Sequence, residues 1–288
     1  MSETVPAVPI KWPEGKKAAA SFSFDIDAES VILNFKPSTA NQMTVMSHQS
    51  YGPLSGVKRI LEILERNQVK STFFVPGYTA RRYPSVIKNI VAAGHEIAHH
   101  GDMHEQPAAA TIEDEIKYIE RGIESLQKVA GVTPIGYRAP FWELSWKTPE
   151  LLVEYGFLYD TSLMDADYPY ELAVKDKSLV ELPVQWALDD WEQYAFLPDI
   201  TGVGLIESPL KAREMWQLEF DGLRKEGGIF ILTNHPFLTG RPSRAFSLEV
   251  LIQYALSHKD VWITSLDEIA KHVRSLNLKP RVLTKPEV

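Results

Sequence analysis

Residues 71–104 read STFFVPGYTARRYPSVIKNIVAAGHEIAHHGDMH. Ser71-Thr72-Phe73-Phe74-Val75 is a short β-branched and aromatic run closed by Pro76-Gly77, the pattern of a buried strand. Tyr83 to Ala93 carries helical spacing, with Pro84 in the first turn and Gly94 just past the end. Glu96 to His99 is a second strand. Four of the eight histidines fall between His95 and His104. His100 and His104 are four apart, which puts two imidazoles on one side of a helical turn or compact loop. Two such nitrogens can share a metal ion, and a zinc hydrolase then needs one more protein ligand and an open position for water. The same cluster also fits a polar loop with no ligand, so the rest of the chain has to decide.

The alternation extends both ways. Residues 1–17 form an extended arm with Pro6, Pro9 and Pro13, and residues 18–288 read as one domain. Lys17 to Ile26 is an apolar strand ending in charge, and 28–54 is a long excursion without a period. Leu54 to Asn67 has a helical apolar face at Val57, Ile60, Leu61 and Leu64. Beyond the histidines, Thr111 N-caps a helix to Val129. Ile135 to Arg138 is strand, Thr148 to Tyr155 helix, and Gly156 to Tyr159 strand. An irregular aromatic stretch runs to Tyr170, then Leu179 to Val184 is strand. Leu210 to Lys225 is helix, Gly228 to Thr233 strand and Ser247 to His258 helix. Val261 to Thr264 is the last strand, and Leu266 to Val273 the last helix. Seven or eight strand–helix alternations with no Gly/Ser linker predict a single α/β fold, a parallel (β/α) barrel. A doubly wound open sheet is the rival arrangement.

With 288 residues, 44% of them hydrophobic, the chain can bury a full core. A formal net charge of −8 argues against a nucleic-acid partner, since little here would neutralise a phosphate backbone. No apolar run is long enough for a bilayer, and the N-terminus lacks a basic-then-apolar export pattern, so the expectation is a cytoplasmic protein away from membranes. There are no cysteines, so any transition metal must be held by His and carboxylate.

In (β/α) barrels, reactive groups sit where strands run into the loops that follow them. Asp25 and Asp27 close the first strand, His100 and His104 follow the third, and Arg138 closes the fourth. Asp160 closes the fifth and His235 the seventh. Asp25 and Asp27 are two apart, so an extended backbone points both the same way. One can bind a metal while the other holds or deprotonates water. Two acids at a strand end also serve simply as solvated or turn-capping groups. One aspartate with the two histidines makes a three-ligand shell open to water, suited to zinc, cobalt, nickel or iron. Arg138 beside a carboxylate would hold it ionised, and His235 is a candidate acid for a leaving amine. His99 is expected to face away from His100.

The ordered motifs Ser-Phe-Asp-Ile-Asp, His-Gly-Asp-Met-His, Arg-Ala-Pro-Phe-Trp, Tyr-Asp-Thr-Ser and Leu-Thr-Asn-His resemble those of the polysaccharide deacetylases, the superfamily of the nodulation-type chitooligosaccharide deacetylases. The resemblance runs from about residue 18 to 270. It implies a distorted (β/α) barrel of seven or eight units that hydrolyses N-acetyl groups of amino sugars with one divalent metal, zinc first. It implies that Asp25 is the base, that Asp27, His100 and His104 bind the metal, and that Arg138 orients Asp25. His235 would be the acid and Asp160 the residue that tunes it, with Asp189-Asp190-Trp191 a competing match for that last role.

Two departures refine this. Ile26 separates aspartates that are usually adjacent, and Gly101 stands where Ser or Thr is usual. Both resemble the branch holding intracellular peptidoglycan-deacetylase-like proteins, cyclic imide hydrolases and metal-independent allantoinases, which implies a homo-oligomer, tetramer or dimer. A small amide or imide is then the alternative substrate to an N-acetyl amino sugar. Phe141, Trp142 and Trp191 are the candidate substrate contacts, among further aromatics at Trp146, Tyr168, Tyr170 and Trp186. They can stack on a sugar or wall off a small pocket. A non-catalytic sugar-binding protein on the same barrel is the competing class.

Overall fold

The computed structural model describes residues 5–197 and 205–287. Nine strands, β1 (Ala18–Asp25), β2 (Thr72–Val75), β3 (Glu96–His99), β4 (Gly136–Tyr137), β5 (Tyr159–Asp160), β6 (Tyr170–Val174), β7 (Lys177–Glu181), β8 (Ile229–Asn234) and β9 (Val261–Ile263), form one curled sheet. Its order is β6-β7-β5-β4-β3-β2-β1-β8, with β9 beside β1. Every pairing is parallel except β6 with β7.

The buried strand β1 is the axis of the sheet. It pairs with β8 along most of its length, with β9 at Ala18–Ala20 and with β2 at Ser23–Asp25. Alanines at its start leave room for the fork. Phe22 and Phe24 face a layer of helices together with Phe73, Phe230, Trp216 and Phe220. Ser23 and Asp25 take the opposite, inner face, where Phe74, Ala98 and Ile231 also lie. Burying each Phe contributes about 1.5–3 kcal/mol. A one-residue slip would trade those rings for Asp25, so the register that aims Asp25 inward is strongly fixed.

The expected distorted barrel is observed, with two features that no pattern in the sequence announces. First, Tyr170–Val174 is a strand that forms an antiparallel hairpin with β7. Its turn uses Lys175 at φ 54° rather than an Asn-Gly or Asp-Gly pair, so the usual hairpin signal is missing. Second, β6 and β8 end the strand order without pairing, and a single bridge, Asp189↔Thr233, lays the segment after β7 against β8. That bridge brings Asp189 and Asp190 to the exit of β8.

The helix Ile112–Ala130 begins at Thr111, whose side chain accepts from the Asp114 amide, and stops at left-handed Gly131. The helix expected from Ser247 starts earlier, at Pro242. The excursion 28–54 holds the helices Ser30–Phe35 and Met43–Tyr51. In the arm, Trp12 is buried and donates to the Gly227 carbonyl at 2.8 Å. No described helix is long and apolar enough to cross a membrane.

Candidate active site

At the exit of β1, Ser23, Asp25 and Asp27 share one side of the chain. Arg138, just past β4, reaches them from across the barrel. Its guanidinium lies 2.6 Å from Asp25 Oδ1 and donates to Ser23 Oγ at 3.1 Å, stacked 4.0 Å from the Phe74 ring centre. All of this is buried. Breaking such a pair by removing one partner costs about 3–5 kcal/mol, because the other charge is stranded.

His100 follows β3 directly. Its Nδ1 lies 2.8 Å from the Arg138 carbonyl, which can only accept. The proton therefore sits on Nδ1, and the lone pair on Nε2 looks into the barrel mouth. There it faces Asp27 Oδ1 at 3.5 Å and Asp25 Oδ2 at 3.8 Å. His104 Nε2 stands 3.5 Å from Asp27 Oδ2. Its backbone is left-handed, φ 61°, and Asn34 Nδ2 donates to its carbonyl at 3.1 Å. Ala28, Phe141 and Trp142, all near this mouth, are also at positive φ. Non-glycine residues held there cost of order 1–3 kcal/mol each, and such strain collects where a site imposes it.

Asp27 carries the strongest local evidence. It is buried, and neither carboxylate oxygen has a hydrogen-bond partner among the described residues. Burial, opposed by His235 and assisted by Asp25, pushes its carboxyl up to about 7. Burial also holds His100 and His104 well below the usual histidine range, so both rings are neutral. The His100 Nε2 lone pair and the Asp27 carboxylate are acceptors facing one another at 3.5 Å, with His104 Nε2 equally close to the other carboxylate oxygen. A divalent cation is what such a set fits, and the ligand atoms of Asp27, His100 and His104 all lie within 4.8 Å of one another.

His235, past β8, closes the ring. Its Nε2 is 3.5 Å from Asp27 Oδ2 and its Nδ1 is 2.7 Å from Asp190 Oδ1. Asp190 also accepts from the amides of His235 at 2.9 Å and Thr239 at 3.1 Å. Burial works against a charge on His235, yet Asp189, and then Asp190, hold it protonated well above the usual histidine range. Asp189, Asp190 and His235 also cluster closely enough for a metal. The short Nδ1–Asp190 contact makes them a hydrogen-bonded ion pair instead.

The expectation that Asp160 tunes His235 is corrected here. Tyr159 takes the inner face of β5, so Asp160 points outward. It accepts from Ser162 Oγ at 2.9 Å and lies opposite Glu181 of β7. Asp190, the competing match, holds the imidazole. His99 turns outward as expected, with Nε2 3.1 Å from the Ile119 carbonyl.

A cavity of about 110 Å³ joins these groups, walled by Phe141, Trp142, Trp186 and Trp191, with Asp189 and Glu192 at its side. Trp191 packs 5.3 Å from the His235 ring, and Phe141 4.6 Å from His104. Trp146, Tyr168 and Tyr170 do not line it. Ser23, Asn34 and Glu192 were not anticipated. Strand parity alone could have found Ser23, two before Asp25.

The model of the family described as Polysaccharide deacetylase matches residues 39–159. A peptidoglycan deacetylase of Helicobacter pylori is 33% identical over 242 residues, which cover 75% of this chain and 82% of that protein. The chain belongs to the polysaccharide deacetylase family. Among solved structures, a Mycobacterium smegmatis protein provisionally assigned as a polysaccharide deacetylase superposes with a TM-score of 0.98 at 57% identity, over 99% of this chain and 100% of that one. Puue allantoinase superposes with a TM-score of 0.81 at 27% identity, over 93% and 94%. The chain is thus similar both to a protein named a peptidoglycan deacetylase and, in fold, to one named an allantoinase.

Proposed function

We propose that this polysaccharide deacetylase-family protein is a metal-dependent hydrolase of non-peptide C–N bonds that removes N-acetyl groups from amino sugars. The observation that carries the reading is the buried Asp27 carboxylate, without a hydrogen-bond partner among the described residues, facing the Nε2 atoms of His100 and His104. Asp27, His100 and His104 would hold one divalent ion, zinc first, with cobalt, nickel or iron also suited to the donor set. When bound, that ion supplies a Lewis acid that polarises a carbonyl and acidifies water. Asp25 takes the proton of the attacking water, and Arg138 holds Asp25 aimed at it. His235, held protonated by Asp190, gives its proton to the departing nitrogen. Trp142, Phe141 and Trp191 exclude water and bracket the acyl group.

A second reading is hydrolysis of a small cyclic amide or imide. The narrow cavity and the likeness to an allantoinase favour it. The test is one panel: purified protein, with and without chelator, against chitooligosaccharides, allantoin and succinimide-type rings. Chelator-sensitive acetate release supports the first reading, and ring opening without acetate replaces it with the second. Undiminished turnover in chelator removes the metal mechanism. Glycan binding with no turnover in added metal leaves the non-catalytic class. The same proposal takes the enzyme as a cytoplasmic dimer or tetramer, checked by cell fractionation and light scattering.

A further inference from the structure

Behind the catalytic histidine, a second cavity of about 400 Å³ opens between the helix Met43–Tyr51, the turn Trp191–Tyr194 and the start of the helix Pro242–Ser257. It shares no lining residue with the catalytic mouth. Two guanidinium groups line it. Arg241 stacks 3.5 Å from the Tyr51 ring centre, and Arg244 stacks 4.4 Å from that of Tyr194. Arg244 donates to the Leu238 carbonyl at 3.2 Å, and neither arginine forms an ion pair among the described residues. Asp190 acts on Arg244 electrostatically, but its oxygens are taken by His235 and Thr239.

An arginine stacked on an aromatic face keeps its N–H edge free for a planar or tetrahedral oxyanion. Two such edges line one cavity in a chain of net charge −8, and neither is ion-paired with a described carboxylate. The hydroxyl of Tyr194, which also lines the cavity, is buried without a hydrogen-bond partner among the described residues. Burial and then the two arginines hold His48, on the same wall, below the usual histidine range. Ile32 and Val45 add apolar surface. The space exceeds what a bare inorganic ion fills.

We propose that this cavity binds a small organic anion, its phosphate or carboxylate head held by Arg241 and Arg244 and its apolar body against Ile32 and Val45. The site is separate from the catalytic mouth and independent of the reaction assigned there.

The experiment is calorimetric titration of the full chain with phenyl phosphate and with butyrate, at matched ionic strength. Saturable binding of either is expected, and the two arms separate phosphate from carboxylate heads. Arg241→Gln should weaken it at least about tenfold, the loss of a charge-assisted fork, while turnover without ligand is unchanged. Arg241 makes no described hydrogen bond through its side chain, so this variant should fold. Arg244→Gln should weaken binding similarly, and Asp27→Ala should leave it intact. Binding by Arg241→Gln at wild-type affinity would overturn the proposal. So would binding lost in Asp27→Ala but kept in Arg241→Gln, which would place the anion in the catalytic mouth. No saturable binding of either probe overturns it as well.

Discussion

Asp27 and Asp190 stand at opposite ends of the proposed chemistry, and each makes a separable prediction. Replacing Asp27 with Ala removes the one anionic member of the proposed ligand set. Metal content measured by elemental analysis should drop to background, and kcat/KM should fall about a thousandfold or more. Retained turnover in a metal-free Asp27→Ala protein would sink the assignment. Asp190→Asn acts through His235. The two neighbouring aspartates raise the imidazole against its burial, so withdrawing one anion lowers its pKa. The acid form is then lost at lower pH. The alkaline limb of the kcat profile should shift downward, with kcat reduced about 100-fold or more. Asp160→Asn should not move that limb, because its carboxyl faces the outer layer. Equal displacement by both variants would contradict the geometry. Motif order had offered Asp160 and Asp190 as rivals. Only the parity of a two-residue strand separated them, and nothing in the sequence marks which residue of Tyr159-Asp160 turns inward.

At the scale of elements, the strand ends were largely legible because buried parallel strands are short apolar runs that stop in charge. The hairpin β6–β7 was not, since its turn lacks glycine and its first strand begins among aromatics. The packing between β3 and the helix Ile112–Ala130 was also hidden. Gly122 lies in that helix with no backbone need for glycine, so propensity alone would have Gly122→Ala gain about 0.5–1 kcal/mol. A Cβ there, however, would collide with His99 Nε2 and lie 2.9 Å from the Gly101 carbonyl. The helix would have to back away from the strand that presents His100. Gly122→Ala should therefore destabilise by about 1–3 kcal/mol, read by urea unfolding, and weaken metal affinity with it. A rise in the unfolding midpoint would show that helix propensity, not this contact, governs the position.

For the molecule as a whole, the outward pair Asp160 and Glu181 ties global stability to pH. Both carboxyls are buried, and among the described residues Asp160 Oδ2 and Glu181 Oε2 find no other donor. Burial pushes Asp160 up to about 6, eased by hydrogen bonds from Glu181 and Ser162. Burial, and then the charge on Asp160, drives Glu181 well above the usual carboxylate range. A single proton shared between the two accounts for both directions. Each folded-state pKa lies above its unfolded value. The contribution to stability is then complete below the ordinary carboxylate range, near pH 4, and is lost as pH rises through 6 and beyond. Glu181→Gln supplies a fixed N–H toward Asp160, and its amide oxygen still accepts from the backbone amides of Ser162 and Leu163. Relative to wild type, the variant should gain on the order of 1–3 kcal/mol at pH 8 and little or nothing at pH 5. Denaturant unfolding at the two pH values reads the difference, and a gain independent of pH would mean that no shared proton links β5 to β7.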